Sequence, residues 1–282
     1  MNGSIHTVNE LATEKAFSKQ SAIFDELYSP NIIIQYKRQR VRDHVRQWLQ
    51  PNSKILELNA GTGDDAVWFA QQNHTVHASD ISKGMQEKLV QKVRHNKLES
   101  KITNEICSFT GLKNLRNKGP YDLIFSNFAG LNCTGELNLV LQSFSSLLTP
   151  GGIVTLVILP KFCLWESMMF FRGKFKIAFR RFFSRRGRKA HIDGEYFTCW
   201  YYNPSYVMKN MKKSFDLLSV EGLCTLVPPS YLENFPAKRP KLFKWLKEKE
   251  SIWKDKWPWK NIGDYYIISL RKKYNDQGLQ DI

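Results

Sequence analysis

The chain lacks paired cysteines and long apolar runs. Its five cysteines are widely spaced, odd in number and form no Cys-x-x-Cys pair, which argues against a disulfide framework or a zinc knuckle and favours a reducing compartment. No stretch approaches the roughly 18 uncharged apolar residues of a membrane-spanning helix. Residues 1–15 are polar and contain no apolar segment of a signal peptide. We therefore expect a cytoplasmic protein, with peripheral contact to the cytoplasmic membrane face left open.

Acidic residues are also scarce. The 282 residues include 42 lysines and arginines but only 26 acidic residues, which gives a formal net charge of +16. Such an excess favours an anionic partner, whether nucleic acid, an acidic membrane surface or a phosphorylated substrate, although a basic soluble protein without such a partner is the alternative. The 42% of hydrophobic residues suffices for one large domain, or for one domain that carries a cap.

From residue 54 onward, short apolar segments alternate with amphipathic ones. Near-continuous apolar strands between amphipathic helices are typical of a parallel sheet covered on both faces. The pattern predicts an α/β, Rossmann-like, doubly wound fold. The predicted strands are 54–59, 75–80, 102–107, 121–127, 153–159, 215–226 and 264–271.

Four regions follow from this pattern. Residues 1–50 form a predicted helical cap, and 51–160 form the alternating core. Residues 161–210 form a basic, aromatic insertion, and 211–273 supply the last strands together with a second insertion, 228–262. Apolar residues recur at helical spacing over 164–186 among many cations, which predicts one amphipathic basic helix. This helix could lie on a membrane or pack on the core as a lid, and both interpretations stay open.

The segment Lys54–Ala66 reads as a strand, a small-residue turn and the start of a helix. Glycines in such a turn let the backbone approach a nucleotide-like ligand, and the helix start supplies free N–H donors. With Glu57, Gly61 and Gly63, the segment resembles the Glu/Asp-x-Gly-x-Gly-x-Gly element of class I S-adenosylmethionine-dependent methyltransferases. Asn59 stands where that family usually has its first glycine, and asparagine tolerates left-handed backbone angles better than most residues.

Further motifs arrive in the order of that family. Asp80 ends the second strand, and its two acceptor oxygens match a ribose diol, although it could instead cap the next helix. The segment 121–128 resembles the family motif that faces the transferred methyl group, and 147–152 resembles the turn into strand five. The resemblance implies a seven-stranded, mostly parallel sheet with an antiparallel last strand. It also implies S-adenosylmethionine as cofactor, with S-adenosylhomocysteine as product, bound by Glu57, Asn59, Ala60, Gly61, Gly63, Asp80, Ile81, Met85, Ser108, Phe109, Asn127 and Phe128.

The sequence lacks the signatures of several acceptor classes. After Ser126, the residues Asn-Phe-Ala replace the Asn/Asp-Pro-Pro-Tyr/Phe signature of enzymes that methylate amino groups, and no Pro-Cys nucleophile pair is present. No histidine pair or carboxylate cluster indicates a metal. The layout resembles the ubiquinone/menaquinone-type enzymes, which implies that 24–28 lies over the cofactor and that 160–206 lines the acceptor pocket. As general bases the chain offers Tyr28, Tyr36, Glu166, His191 and Tyr202, although each has a structural role as the commoner alternative.

These observations predict a methyltransferase that acts on a hydrophobic small molecule or lipid-like metabolite, by O- or C-methylation. The expected partners are that acceptor and an anionic membrane surface contacted through 164–186. An RNA methyltransferase is the alternative enzyme, motivated by the charge and the interleaved aromatics, and nucleic acid is the less favoured partner. A non-catalytic, methyltransferase-like binding subunit is the third alternative. The oligomeric state is not predicted.

Overall fold

A seven-stranded sheet forms the centre of the molecule in the computed structural model, which describes residues 7–182 and 184–274. The strands are β1 (Lys54–Leu58), β2 (Thr75–Asp80), β3 (Ile102–Ile106), β4 (Tyr121–Ser126), β5 (Leu148–Ile158), β6 (Arg188–Ile192), β7 (Glu195–Cys199), β8 (Phe215–Leu223) and β9 (Tyr265–Lys272). The sheet order is β3-β2-β1-β4-β5-β9-β8, and β6 pairs with β7 in a separate hairpin. Within the sheet, β9 alone runs opposite to the other six strands. The predicted fold class is therefore confirmed.

Helices cover the sheet and flank its ends. They are α1 (Val8–Gln20), α2 (Phe24–Tyr28), α3 (Ile32–Arg46), α4 (Asp64–Gln71), α5 (Lys83–His95), α6 (Leu137–Leu147), α7 (Leu164–Ser167), α8 (Phe175–Ala178), α9 (Pro204–Met211), α10 (Phe235–Lys238) and α11 (Pro240–Trp253). Short 3-10 turns lie at Phe109–Asn114, Gly130–Cys133, Met168–Arg172, Ser230–Leu232 and Trp259–Asn261. None of the helices described combines the length and apolar character that crossing a bilayer requires.

The central strands bury both of their faces. Successive side chains of a strand point to opposite sides, so Ile55 and Leu56 of β1 enter different clusters. Leu56 packs with Phe144 of α6 on one face, while Ile55 packs with Phe69 of α4 and Val41 of α3 on the other. This two-sided burial explains why the strands read as continuous apolar runs rather than as alternating ones.

The N-terminal helices and the β6–β7 hairpin meet at one end of the sheet. Helix α1 starts with a capping box, in which Thr7 and Glu10 each accept a hydrogen bond from the other's backbone N–H. Asn9 then connects three segments, since its Nδ2 donates to the Cys133 carbonyl at 2.7 Å and its Oδ1 accepts from the Thr198 N–H at 2.6 Å. Residues 1–6 of the predicted cap lie outside the described residues.

The predicted basic helix over 164–186 is wrong. The segment instead contains α7, a 3-10 turn and α8. Gly173 lies between the 3-10 turn and α8, in a left-handed conformation at φ 69°. Glu166 binds the guanidinium groups of Arg180 and Arg181, which folds the segment back on itself, so a tertiary ion pair overrides the local helical periodicity. Phe183 of this segment lies outside the described residues. The hairpin that follows was not predicted.

Candidate active site

The turn after β1 brings three residues into left-handed backbone conformations. Asn59 has φ 47°, Gly61 φ 55° and Gly63 φ 84°. A Cβ at Gly63 would lie 2.8 Å from Leu89 Cγ, so glycine is required there for the approach of α5 as well as for the backbone angle. The Gly61 N–H donates to Asp80 Oδ2 at 2.9 Å, which fixes the turn to the end of β2.

Asn59 connects the ends of β1 and β4. Its Nδ2 donates to the Asn127 carbonyl at 2.8 Å, and its Oδ1 accepts from Ser126 Oγ at 2.6 Å. The amide lies against Gly130, where a Cβ would come within 2.2 Å of Asn59 Cγ. The residue that departs from the family glycine thus forms a polar connection between two strands, and the missing side chain at Gly130 leaves the room for it.

A cavity of about 350 Å³ opens at the carboxyl ends of these strands, where open α/β sheets bind ligands. Nine of the twelve residues predicted to bind cofactor line it, namely Glu57, Asn59, Ala60, Asp80, Ile81, Met85, Phe109, Asn127 and Phe128. Gly61 and Gly63 belong to the adjoining turn. Ser108 is instead the N-cap of the turn that Phe109 begins, and its hydroxyl bonds to Glu10.

Asp80 does not cap the helix that follows it. Ser82 is the N-cap of α5, and its hydroxyl accepts from the Met85 N–H at 3.2 Å. The Asp80 carboxylate accepts instead from the Ser82 N–H at 2.8 Å and from Gly61 N–H. Burial raises the pKa of Asp80, although these backbone donors oppose the shift.

Carboxylates dominate the end of the cavity formed by β1, β2 and α4, which we call the cofactor end. Burial, together with the neighbouring Asp65, raises the pKa of Glu57 well above its usual range. Glu57 Oε2 is buried without a hydrogen-bond partner among residues 7–182 and 184–274. Asp65 itself accepts from Asn127 Nδ2 at 2.7 Å. A buried oxygen without a donor at the wall of a cavity fits a cationic ligand.

Two arginines of α3 face this end. Arg38 lies 3.2 Å from carboxylate oxygens of both Asp64 and Asp65, and Arg42 lies 2.9 Å from Asp65. Arg38 also lines the cavity and stacks 5.0 Å above the Phe128 ring. The sequence places four arginines between residues 38 and 46 of this helix, but nothing local shows which of their side chains turns toward a strand end.

The opposite end of the cavity lies beside β9, and we call it the acceptor end. Ile34 and Lys37 of α3, Ser230 and Tyr265 line it. Lys37 Nζ donates to Ser230 Oγ at 3.0 Å and lies 4.6 Å from the centre of the Tyr265 ring. These residues come from three distant segments, and no sequence pattern joins them.

Of the five predicted general bases, the cavity lining includes Tyr28 alone. Tyr36 donates to Glu250 at 3.1 Å, and burial raises its pKa. Tyr202 donates to the Thr134 carbonyl at 2.6 Å, and His191 packs on Tyr196 in the hairpin. These three side chains therefore have structural contacts outside the cavity.

Glu166, the remaining predicted base, belongs to an ion-pair cluster beside Asp264. Burial raises the pKa of Glu166, but Arg181 and Arg180 outweigh it and hold the value below the usual range. Cys163, Glu166 and Asp264 approach within 4.8 Å, close enough for a metal site. Arg181 binds both carboxylates, at 2.6 and 2.7 Å, so these oxygens are engaged by the guanidinium. The prediction that the protein uses no metal stays a prediction.

Comparison with solved structures places the chain among proteins of this fold. The (4+2)-cyclase SpnF aligns at 16% identity over 83% of this chain and 80% of its own, with a TM-score of 0.53. The 1,6-didemethyltoxoflavin-N1-methyltransferase of Burkholderia thailandensis aligns at 12% identity over 97% and 93%, with a TM-score of 0.56. An S-adenosylmethionine dependent methyltransferase of Mesorhizobium loti aligns at 16% identity over 81% and 96%, with a TM-score of 0.51.

No curated protein matches the chain in sequence. Residues 55–152 match the methyltransferase domain family, and this segment runs from β1 into β5, across most of the cofactor end. The predicted enzyme class and cofactor class are thereby confirmed at the level of the domain, while the resemblance to quinone-type enzymes stays a prediction. The chain therefore carries a segment, residues 55–152, that matches the methyltransferase domain family, within a sheet of the Rossmann-like methyltransferase fold.

Proposed function

We propose that the protein binds S-adenosylmethionine at the cofactor end and transfers its methyl group to a small molecule held at the acceptor end. The observation that carries this proposal is that Glu57, Asp80 and Asn127, at the ends of β1, β2 and β4, line one cavity. The cofactor supplies an electrophilic methyl group on a sulfonium. The chain's own residues bind and orient the two molecules, and positioning alone can supply much of the rate of such a displacement.

Each part of the cofactor end fits one part of this cofactor. The Asp80 carboxylate has the geometry to accept from the ribose hydroxyls, and Glu57 Oε2 is free to accept from the ammonium of the methionine part. Ile81, Met85 and Phe109 provide an apolar wall, which suits the adenine. This assignment leaves Phe128 and the residues beside β9 for the acceptor.

The acceptor is proposed to have an apolar body. Ile34, Phe128 and Tyr265 line the remaining cavity, and side chains of this kind suit a hydrophobic metabolite better than a polar chain. The predicted O- or C-methylation belongs to this proposal. The RNA enzyme rests on the net charge of +16 and on the interleaved aromatics, and it remains the alternative.

Calorimetry with S-adenosylmethionine tests the cofactor assignment. Asp80→Asn keeps the side-chain shape but removes the charge, so we expect binding to weaken at least about tenfold through loss of charge-assisted hydrogen bonds. Asp216→Asn is the matched control, because that carboxylate is 69% exposed on β8, and it should bind like the wild type. Unchanged binding by Asp80→Asn, or none by the wild type, would show that the cofactor assignment is wrong.

A second assay separates the acceptor classes and tests catalysis itself. SpnF is a cyclase, so the fold does not by itself fix the reaction. Cell extract incubated with methyl-labelled S-adenosylmethionine is divided into a solvent-extractable fraction and an RNA fraction. We expect protein-dependent label in the extractable fraction. Label in the RNA fraction alone supports the RNA enzyme, and cofactor binding without any transfer supports the non-catalytic subunit.

We also propose that residues 168–182 contact an anionic membrane surface. Phe171 is 86% exposed and Phe175 54% exposed, and the exposed cations Arg172, Lys174 and Lys176 lie between or beside them. Exposed aromatic rings can bury themselves at the boundary between headgroups and acyl chains, while the cations beside them contact the anionic headgroups. The segment adjoins the acceptor end, since Arg181 Nη2 donates to Oδ1 of Asp264, the residue before Tyr265, at 2.7 Å. A lipid-like acceptor would thus leave the bilayer near its binding site.

Vesicle sedimentation tests this contact. We expect binding to vesicles containing anionic phosphatidylglycerol but not to pure phosphatidylcholine, and a decrease of about tenfold or more in the double variant Phe171→Ser/Phe175→Ser from lost apolar burial. Leu139→Ser is the control, because Leu139 is 49% exposed on α6. Equal binding of the double variant and the wild type would contradict the membrane contact.

A further inference from the structure

Lys37 is a buried cation at the acceptor end. Its side chain is 2% exposed, and it is the single lysine in the lining of the cavity. Removing an ammonium group from water costs several kcal/mol unless partners replace the lost hydration. An ammonium carries three donor protons. In the described ranges 7–182 and 184–274, one of them has a hydrogen bond, to Ser230 Oγ at 3.0 Å.

The nearest carboxylate does not complete this coordination. Asp264 Oδ2 lies 3.8 Å from Lys37 Nζ, beyond hydrogen-bonding distance. Arg181 holds the same carboxylate more closely, with Nη2 2.7 Å from Oδ1 and Nη1 2.8 Å from the Asp264 carbonyl. Asp264 is therefore committed mainly to Arg181.

The local charges do not cancel. Three cations, Lys37, Arg180 and Arg181, share the two carboxylates of Glu166 and Asp264. Burial lowers the pKa of Lys37, but Tyr265 and Asp264 outweigh it and leave the value raised. The ammonium is therefore charged at neutral pH, and these five groups together carry a net charge of +1, with the Arg180 side chain 50% exposed.

We propose that Lys37, Ser230 and Tyr265, together called the Lys37 subsite, bind an anionic oxygen group of the methyl acceptor. A carboxylate, a phosphate or a phenolate can accept hydrogen bonds from the remaining N–H groups of the ammonium. Its negative charge would compensate the positive charge of Lys37. This inference rests on the proposed function, because it takes the β9 side of the cavity as the acceptor end. In the sheet order, β1, β4 and β5 separate β2, which carries Asp80, from β9, which carries Tyr265.

The rival occupant of the subsite is the carboxylate of the cofactor's methionine part. Arg38 is a second cation in the cavity lining, but it already pairs with Asp64 and Asp65. The two occupants predict different losses in a Lys37 variant: the acceptor assignment predicts lost acceptor affinity, and the cofactor assignment predicts lost affinity for S-adenosylmethionine.

Calorimetric titration of the full chain, saturated with S-adenosylhomocysteine, distinguishes them. The probes are benzoate and phenyl phosphate, with benzamide as the neutral analogue. We expect one of the anions to bind at least about tenfold more tightly than benzamide, because a charge-assisted hydrogen bond is gained. The anion that binds more tightly shows whether the subsite prefers a carboxylate or a phosphate. Lys37→Met should remove this preference, Ser230→Ala should reduce it and Lys37→Arg should retain part of it.

The control is Lys101→Met, because Lys101 donates to Asn73 Oδ1 at 2.7 Å, far along the chain from the subsite; it should keep the wild-type preference. Equal binding of anions and benzamide to the wild type contradicts the proposal, and so does an unchanged preference in Lys37→Met. If Lys37→Met does not fold, an unchanged preference in Ser230→Ala counts against it. Lost binding of S-adenosylhomocysteine in Lys37→Met, with folding intact, assigns Lys37 to the cofactor. If the wild type binds no S-adenosylhomocysteine, the proposed function fails, and the same titrations without it still test the subsite.

Discussion

The two ends of the cavity have opposite charge. At the cofactor end, the carboxylates outnumber the cations, with Asp25, Glu57, Asp64, Asp65 and Asp80 facing Arg38, Arg42 and Lys92. At the acceptor end, Lys37, Arg180 and Arg181 outnumber Glu166 and Asp264. Helix α3 supplies cations to both ends, since Lys37 and Arg38 are adjacent in sequence and their side chains turn to different carboxylates.

This difference gives the proposed reaction an orientation. A cofactor with a sulfonium and an ammonium is attracted to the carboxylates at one end and repelled by Lys37 at the other. An anionic acceptor has the reverse preference. Discrimination between two ligands needs repulsion as well as attraction, and the buried, low-dielectric setting strengthens both. The charge distribution thus favours one arrangement of the two molecules over its reverse.

Arg181→Met should have the largest effect on stability, because it removes the ion pairs of Arg181 with Glu166 and Asp264 beside the acceptor end. The substitution leaves Glu166 and Asp264 buried without their shared guanidinium, and removal of one partner of a buried ion pair typically costs about 3–5 kcal/mol. We expect a decrease of this size in the free energy of unfolding, measured by urea denaturation.

Arg46→Met is the control for this measurement. Arg46 is 55% exposed and pairs with the exposed Asp43, so its loss should change stability by less than about 1 kcal/mol. Arg181→Met should also lose the preference for anionic probes, since the charges at the acceptor end then cancel. A stability change as small as that of the control would contradict the structural role of Arg181.

Glu57→Gln should have the next largest effect, on the cofactor end. The amide keeps the shape but cannot pair with an ammonium, so binding of S-adenosylmethionine should weaken by about 10- to 100-fold in calorimetry, equivalent to the loss of a hydrogen bond between charged groups. Binding as tight as that of the wild type would show that Glu57 does not contact the cofactor.

The raised pKa of Glu57 adds a dependence on pH. The folded protein keeps this proton to a higher pH than the unfolded chain does, so the associated stability is present at low pH and decreases as the pH rises through the folded-state pKa. A bound cation lowers that pKa and releases the proton. Cofactor affinity should therefore increase with pH over the same range in the wild type, and this increase should be smaller in Glu57→Gln.

The two ends also differed in how far the sequence predicted them. Glu57, Asp80 and Asn127 each end a buried strand, so a local pattern locates them, and the parallel sheet brings the strand ends together. Lys37, Ser230 and Tyr265 lie in a helix, a turn and an antiparallel strand. Only the tertiary fold brings these three together, and Lys37 is one of 42 lysines and arginines. The convergence of Glu57, Asp80 and Asn127 on one cavity was therefore predictable from the sequence, and that of Lys37, Ser230 and Tyr265 was not.

The same distinction explains the error over 164–186. Helical periodicity is a local signal, and it gave no information on the pairing of Glu166 with Arg180 and Arg181. Asn59 shows the opposite case. The sequence indicated that asparagine tolerates the turn, and the structure adds its bonds to Ser126 and Asn127.

Gly130→Ala tests the connection that Asn59 makes between the ends of β1 and β4. The new Cβ would lie 2.2 Å from Asn59 Cγ, so the amide must move and its bonds to β4 must weaken. We expect a loss of about 1–3 kcal/mol in stability, typical of overpacking. The double variant Asn59→Gly/Gly130→Ala removes the clash and suits the φ of 47° at residue 59, so it should be more stable than Gly130→Ala alone. If the double variant is no more stable, the contact between these residues is not what makes Gly130 necessary.

Tyr28→Phe should have the smallest effect. Tyr28 is the single predicted base in the cavity lining, and its ring packs 4.6 Å from that of Phe24 at the cofactor end. Phenylalanine keeps this packing and loses only the hydroxyl, so we expect cofactor affinity to change less than about threefold, the loss of a weak hydrogen bond at most. The pH profile of methyl transfer should also be unchanged where the anionic oxygen beside Lys37 is itself the methylated atom, because that oxygen carries no proton for a base to remove. A rate that falls at least tenfold and loses its dependence on pH would instead identify Tyr28 as the base, and the methylated atom of the acceptor would then bind in its protonated form.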